Sequence, residues 1–350
     1  MHFKNRDMLP LKRILFIGVF WLSVSAGFAQ QSNADPKLGV YQRTLKLMGS
    51  RFDLTVVAEN QQQGNAYLDL AIGEISRIER LISSWDPNSQ TSAINANAGI
   101  APVKVDAELF HLIERALKIS KLTQGAFDIS YASMDRIWKF DGSVTEMPAA
   151  EVIRQSVEKV GYQNIVLDRE NMTVFLKKEG MKIGFGAIGK GYAADRAKEL
   201  LMKNGVTSGI INASGDLDAW GTQPDGKDWM VAIVNPLNKD KVFSWLPVRD
   251  QAVVTSGNYE KYIILDGQRY THIIDPRTGY PSKGILSATI FTKNAELADA
   301  LATSIFVMGV ETGLDFVNQL HGVECIIVDE NNTISTSNNI NLKEVGKKSS

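Results

Sequence analysis

Cys325 is the single cysteine of a 350-residue chain whose first residues read as an export signal. An internal disulfide framework is therefore excluded, as is every zinc site built on paired thiolates. Exported proteins often lean on disulfides. This one must rest on an apolar core, and a bound metal or nucleotide would add stability by mass action. The export reading rests on Lys12 and Arg13 ahead of an apolar run over 14–22. Small residues follow at Gly27 and Ala29, and then the polar Gln30-Gln31-Ser32. The run is short for a membrane span, and an uncleaved N-terminal anchor is the alternative. No cysteine stands at the exit, so lipid attachment there is excluded. We expect a leader over 1–29, a flexible lead-in over 30–42, one folded domain over 43–333 and a polar tail over 334–350.

Charge narrows the partners. Thirty-nine acids stand against 38 bases, which excludes a strongly basic nucleic-acid binder. The leader carries four bases against one acid, so the mature chain is mildly acidic. A hydrophobic fraction of 44% with 22% charged residues belongs to a globular chain rather than a disordered one.

Periodicity predicts strands over 43–47 and 52–58, then a long amphipathic helix over 61–84. A second helix is expected over 106–122 with Asp106 as its N-cap. A third opens at Pro148 and ends at Gly161. Strands are expected near Ile165, Val174 and Ile183, and a helix over 188–203. Beyond it strands dominate, over 209–213, 229–234, 242–248, 262–265 and 285–292. Helices over 296–308 and 312–320 and a strand over 323–328 close the domain. Helices grouped between runs of strands predict an α+β fold.

Five segments carry chemistry. Gly184-Phe185-Gly186-Ala187-Ile188-Gly189-Lys190-Gly191 sets four glycines before a helix. Glycine lets backbone approach a ligand, a helix N-terminus offers free N–H groups to an anion, and Lys190 adds a charge for phosphate. The spacing matches neither the P-loop nor the dinucleotide fingerprint, and a tight strand-to-helix turn would look the same. The run over 210–216 ends in Ser214, Gly215 and Asp216, as a close approach to a ligand or a plain turn would. The segments over 255–259 and 270–281 are dense in functional side chains. In the second, His272 and Asp275 are three apart, and histidine suits proton transfer near neutral pH. It could equally bond only to its own turn. In the last segment, Asp299 and Thr303 share one helix face, one turn apart. A carboxylate and a hydroxyl, with carbonyls from a glycine turn, suit a hard cation such as Mg²⁺. The apolar neighbours of Asp299 imply a buried acid that needs a compensating partner.

Taken in order, the segments form a series: Met48-Gly49-Ser50, Ser84-Trp85 leading to 92–95, Gly125 to Ile129, the glycine turn to Asp195, 211–216, 255–259, 272–281 and 299–303. The series resembles the ApbE family, the FAD:protein FMN transferases, over roughly 43–330. The resemblance implies a T-fold-like α+β architecture of mixed, largely antiparallel sheets packed with helices. It implies an exported Mg²⁺-dependent enzyme that cleaves the FAD diphosphate and joins FMN to a threonine or serine of an acceptor flavoprotein, releasing AMP. Implied acceptors are subunits of the Na⁺-translocating NADH:quinone oxidoreductase or electron-transport-complex type with a threonine-containing loop. The implied location is the periplasm or cell envelope, with inner-membrane association as a variant. An FAD hydrolase and a non-enzymatic flavin-binding protein are the alternatives.

Residue by residue, the resemblance places Met48, Trp85, Ala126, Phe127, Asp128, Gly184, Lys190, Asp216, Ser256, Gly257, His272 and Ile273 at the FAD. It assigns the metal to the Ala187 carbonyl, Asp299 and Thr303, and makes His272 the candidate base beside Asp299. Three positions depart from the family pattern. Gly184 replaces the usual acid, Ser50 the usual threonine, and Ser214 a usual glycine.

Overall fold

The computed structural model describes residues 38–340 except 142, 236–237 and 258–261; for the rest of 233–244 it describes only the backbone. The expected leader, most of the lead-in, the last ten residues of the expected tail, and Asn258 and Tyr259 lie outside the described residues.

The chain opens with β1 (Gly39–Leu47) and β2 (Ser50–Ala58), then α1 (Gln61–Ile82), α2 (Gln90–Ala96), β3 (Val103–Lys104) and α3 (Ala107–Leu122). A 3-10 turn at Ile129–Ser133, α4 (Ala150–Ser156), β4 (Ile165–Asp168) and β5 (Thr173–Leu176) lead to α5 (Gly189–Lys203). Then come β6 (Gly209–Ala213), β7 (Asp216–Trp220), β8 (Trp229–Asn235), β9 (Asn238–Val248) and β10 (Gln251–Gly257). The last elements are β11 (Tyr262–Leu265), β12 (Gln268–Thr271), β13 (Ile285–Thr292), α6 (Ala295–Met308), α7 (Val310–Val317), β14 (Glu324–Asp329) and β15 (Ile334–Thr336).

Eight strands form one antiparallel sheet in the order β1-β2-β6-β7-β10-β13-β14-β15. The α+β expectation of largely antiparallel sheets packed with helices is thus the observed architecture. Helices α1, α5, α6 and α7 cover one face of the sheet. Alternation sorts the side chains: Leu54 and Val56 of β2 join the helical core, whereas Val57 faces the other side. There Val57, Leu217, Val253 and Phe291 pack against Trp229, Val231 and Val248 of the β8–β9 ribbon. Burying one such aliphatic side chain is worth about 1.5–3 kcal/mol.

α1 forms because Leu68, Ala71, Ile75, Ile78 and Ile82 recur at helical spacing and are buried. Its start is fixed by Asn60, whose side chain accepts from the Gln63 N–H at 3.0 Å, a cap worth about 1 kcal/mol. Asp106 does stand at the N-cap of α3, but its carboxylate accepts from the Gln90 amide rather than from the helix.

Several expectations change. The helix expected from Pro148 to Gly161 is confined to α4. Beyond it the Ser156 hydroxyl turns back to the Ile153 carbonyl, and the Ser156 carbonyl accepts from Asp135 N–H. No strand forms at Ile183. Its N–H and carbonyl are taken at 2.8 and 3.0 Å by the side chain of Asn95, so its backbone is satisfied without a ladder. β1 begins four residues before the expected strand, inside the expected lead-in. Residues 334–336, read as tail, pair with β14. The central strands β7 and β10 were not foreseen.

Candidate active site at the end of the main sheet

Two hairpin turns and the end of a third strand meet at one end of the main sheet. β1 turns into β2 through Met48 and Gly49, at φ +49° and +72°, and β6 turns into β7 through Ser214 and Gly215, at φ +55° and +102°. Both are two-residue hairpins with positive φ at each central position, the form that matches strand twist. β2 and β6 are paired, Phe52 opposite Ala213, which sets the two turns side by side. β10 ends beside them, with Thr255 N–H donating to the Gly215 carbonyl at 3.2 Å.

The N-terminus of α5 and one face of α6 close this end. A cavity of about 400 Å³ lies between them. Its lining gathers most of the expected residues: Ala126, Phe127, Asp128, Ala187, Lys190, Asp216, Ser256, Gly257, His272, Ile273, Asp299 and Thr303. They come from segments separated by up to about 180 residues of sequence, and only folding assembles them. Ser50 and Ser214, two of the departures from the family pattern, also reach this wall.

A second cavity of about 710 Å³ adjoins the first. Trp85 and Gly184 line it rather than the first, and His272 lines both. Trp85 is 77% exposed, with the Arg136 guanidinium 4.9 Å above its ring. An exposed indole held by a cation is a ready stacking platform. Met48 lines neither cavity. It packs beside Gly189 at the entry to α5, because its place in the hairpin turn directs it there.

The electrostatic centre is an acid pair. Asp216 and Asp299 are 2% and 4% exposed. Lys190 forms a salt bridge with Asp216, and Gly191 N–H donates to Asp299 Oδ2 at 3.1 Å. Burial, and then the charge of Asp299, push the Asp216 carboxyl up to about 8, against the pull of Lys190. Two buried carboxylates with one lysine are short of positive charge. The Thr303 hydroxyl lies one helical turn beyond Asp299, and Ala187 lies on the facing turn. This all-oxygen donor set fits a hard divalent cation, which keeps its other positions for phosphate or water. Among the described residues no group of three His, Cys, Asp or Glu gathers, so softer, nitrogen-rich metal sites find no counterpart.

Asp128, on the cavity wall, and Asp275 also hold local structure together. Asp128 Oδ1 accepts from the Ser130 N–H and hydroxyl at 2.8 and 2.6 Å, and Oδ2 from Tyr162 N–H at 2.7 Å. Its carboxylate therefore ties the 3-10 turn to residue 162, and burial raises its pKa. Asp275 accepts from Arg277 through both the backbone N–H and the guanidinium, at 2.9 Å each. His272 is exposed, with the Phe140 ring edge-on at 6.4 Å.

Two further contributors emerge: Tyr131, which the sequence reading did not include, and Asn95, which it placed in the series without a role. Tyr131 lines both cavities, and its hydroxyl faces the Gly186 amide. Burial raises its pKa, so it stays a phenol and a donor. A Cβ at Gly184 would lie 3.1 Å from Ala132 and 3.7 Å from the Tyr131 hydroxyl, so this hydroxyl is a close neighbour of the position that lacks the usual acid. Asn95 is the other: by holding Ile183 it fixes the approach to the glycine turn. The role of each was not readable locally, since each acts on a segment 50 or more residues away.

Comparison with known proteins gives a consistent result. The model of the ApbE family matches residues 48–327. An FAD:protein FMN transferase of Klebsiella pneumoniae (strain 342) is 32% identical over 300 residues, covering 85% of this chain and 92% of the relative. One from Treponema pallidum (strain Nichols) is 31% identical over 280 residues, covering 75% and 77%. Among solved structures, the ApbE protein of Thermotoga maritima MSB8 superposes with a TM-score of 0.79 at 32% identity, covering 88% of this chain and 99% of that one. The flavin transferase ApbE of Vibrio cholerae, at 22% identity, shares the fold with a TM-score of 0.75 over 86% and 98%.

Proposed function

Because this chain belongs to the ApbE family, we propose that it is a Mg²⁺-dependent FAD:protein FMN transferase that joins FMN to a threonine or serine hydroxyl of an acceptor flavoprotein and releases AMP. The observation that carries the reading is the meeting of the buried acid pair, the glycine turn and His272 around two adjoining cavities. A dinucleotide has two bulky ends joined by a charged diphosphate, and two joined cavities, the first lined by Lys190 and the acid pair, suit that shape.

Asp299, Thr303 and the Ala187 carbonyl are the residues that would hold the metal. When bound, Mg²⁺ supplies neutralisation of diphosphate charge and orientation of the phosphorus under attack. The chain's own groups do the rest. Lys190 and the N–H groups at the start of α5 present positive potential to phosphate oxygens. His272, placed where the cavities join, accepts the proton of the acceptor hydroxyl on a ring nitrogen. The hydroxyl oxygen forms the new bond to the FMN phosphorus. The bond from that phosphorus to the bridging oxygen breaks, and AMP leaves with the electron pair. Trp85 and the Arg136 guanidinium offer an aromatic end of the substrate a stacking surface.

The acceptors we propose are flavoprotein subunits with a threonine-containing loop, of the Na⁺-translocating NADH:quinone oxidoreductase or electron-transport-complex type. The proposed location is the periplasm or cell envelope, following the leader. Incubation with FAD, Mg²⁺ and such an acceptor domain tests the reading. Acceptor gaining one FMN phosphoryl group supports it. AMP formed at the same rate without acceptor, with the acceptor unmodified, makes the protein a hydrolase. Stoichiometric FAD binding with no turnover makes it a flavin-binding protein.

A further inference from the structure

Asp195 lies in the second turn of the chain's glycine-led helix α5 and lines neither cavity of the candidate site. Its carboxylate reaches across to α6. Oδ1 accepts from Ala295 N–H and Oδ2 from Glu296 N–H, each at 2.8 Å. These are two of the N–H groups that a helix leaves unpaired at its start. Asn294, at the N-cap of α6, makes no side-chain cap bond of its own, so the cap of this helix comes from another helix.

The consequence is geometric. α5 begins at the turn that carries Ala187 and Lys190, and α6 carries Asp299 and Thr303 one and two turns after the capped end. The two helices touch closely at the same place. A Cβ on Gly191 would lie 2.1 Å from the Ala295 carbonyl oxygen, and Gly191 N–H donates to Asp299 Oδ2 at 3.1 Å. Asp195, one turn further along α5, fixes the register of this contact from behind. Arg115 of α3 also grips the start of α6 through Glu296, at 2.7 and 2.9 Å. The same guanidinium lies 5.5 Å above the Tyr192 ring of α5, so Arg115 supports the junction from the side, whereas Asp195 bonds the α6 backbone itself.

We propose that Asp195 is a positioning residue: by capping α6 from α5 it sets the spacing between the Ala187 turn and the Asp299–Thr303 pair, and so the affinity of the divalent-cation site. This rests on the reading of Asp299 and Thr303 as metal donors. Partners that orient metal ligands from outside cost 10- to 100-fold in affinity when removed. Alanine removes both bonds. Asparagine keeps one acceptor and turns its amide donors toward the other N–H, so it retains part of the clamp.

The test is Mn²⁺ binding to the purified full-length protein, followed by electron paramagnetic resonance, with thermal unfolding measured on the same samples. Wild type, Asp299→Ala, Asp195→Ala, Asp195→Asn and Asn60→Ala are compared. The last removes an ordinary helix cap on α1. The expected result is Mn²⁺ binding by wild type, loss in Asp299→Ala, weakening by tenfold or more in Asp195→Ala, and an intermediate value in Asp195→Asn. Asn60→Ala is expected to unfold earlier yet bind Mn²⁺ as wild type does. Wild-type Mn²⁺ affinity in Asp195→Ala, beside loss in Asp299→Ala, overturns the positioning role alone. Wild type that binds no Mn²⁺, or Asp299→Ala that binds it fully, overturns the donor assignment and this inference with it. If Asp195→Ala does not fold, Asp195→Asn decides: affinity equal to wild type overturns the proposal.

Discussion

The backbone N–H of Gly191 donates to Asp299 Oδ2 at 3.1 Å, across 108 residues of sequence. It joins the first turn of one helix to a buried acid on another, and any side chain at 191 would meet the Ala295 carbonyl. Gly191→Ala should therefore separate the helices. Overpacking of this kind costs about 1–3 kcal/mol. Calorimetry should show a lower unfolding temperature, together with loss of FMN transfer. A variant with wild-type stability and rate would contradict the close packing.

Asp299→Ala should stop FMN transfer in Mg²⁺, and Thr303→Val should weaken it, because the donor set loses a carboxylate or a hydroxyl. AMP release, followed by chromatography, measures both. A wild-type rate in Asp299→Ala would place the metal elsewhere.

His272 is exposed, so His272→Ala should leave the fold intact and lower transfer by about 10²- to 10⁴-fold, the usual worth of a general base. Rates measured from pH 6 to 9 check this. Undiminished transfer across that range would move the base to another group.

Lys190 is the cation that compensates Asp216, whose side chain is 3% exposed. Above about pH 8, where the Asp216 carboxyl is ionised, removing its partner costs up to about 3–5 kcal/mol, and near neutral pH less, because the carboxyl then takes up a proton. Lys190→Met should lower denaturant stability by about that amount, whereas Lys190→Met combined with Asp216→Asn should recover part of it. A double variant no more stable than the single would show that the pair is not coupled.

Burial, and then the charge of Asp218, push Asp195 up to about 7, above its value in an unfolded chain. The folded protein thus holds a proton that the unfolded chain releases. The resulting stability is full below about pH 4 and is lost as pH rises through about 7. In EDTA the unfolding temperature should fall between pH 5 and pH 8, and Asp195→Asn should fall less steeply. Equal slopes in the two proteins would assign the decline to other acids.

Much of the fold was legible where one face of an element meets solvent. α1 shows its buried stripe in sequence, and β2 shows its alternation. β7 was missed because it is short and its two acids read as turn or solvent-facing residues, whereas all five of Asp216-Leu217-Asp218-Ala219-Trp220 are buried. Its acids are paired instead, Asp216 with Lys190 and Asp218 with Lys198. Ile183 misled in the opposite sense: an apolar residue before a glycine turn resembles a strand, but Asn95 supplies its hydrogen bonds. The membership of the site was legible because glycine turns and a carboxylate–hydroxyl pair carry their chemistry locally. Its division was not. That Trp85 and Lys190 line different cavities, with Tyr131 and His272 on both, depends on contacts between distant segments.

The most direct test of the account is the intact mass of an acceptor domain after incubation with this protein, FAD and Mg²⁺. The account predicts a gain of one FMN phosphoryl group per acceptor, matched by AMP, abolished by EDTA and by replacing the acceptor threonine with alanine. An acceptor of unchanged mass while AMP accumulates would contradict it.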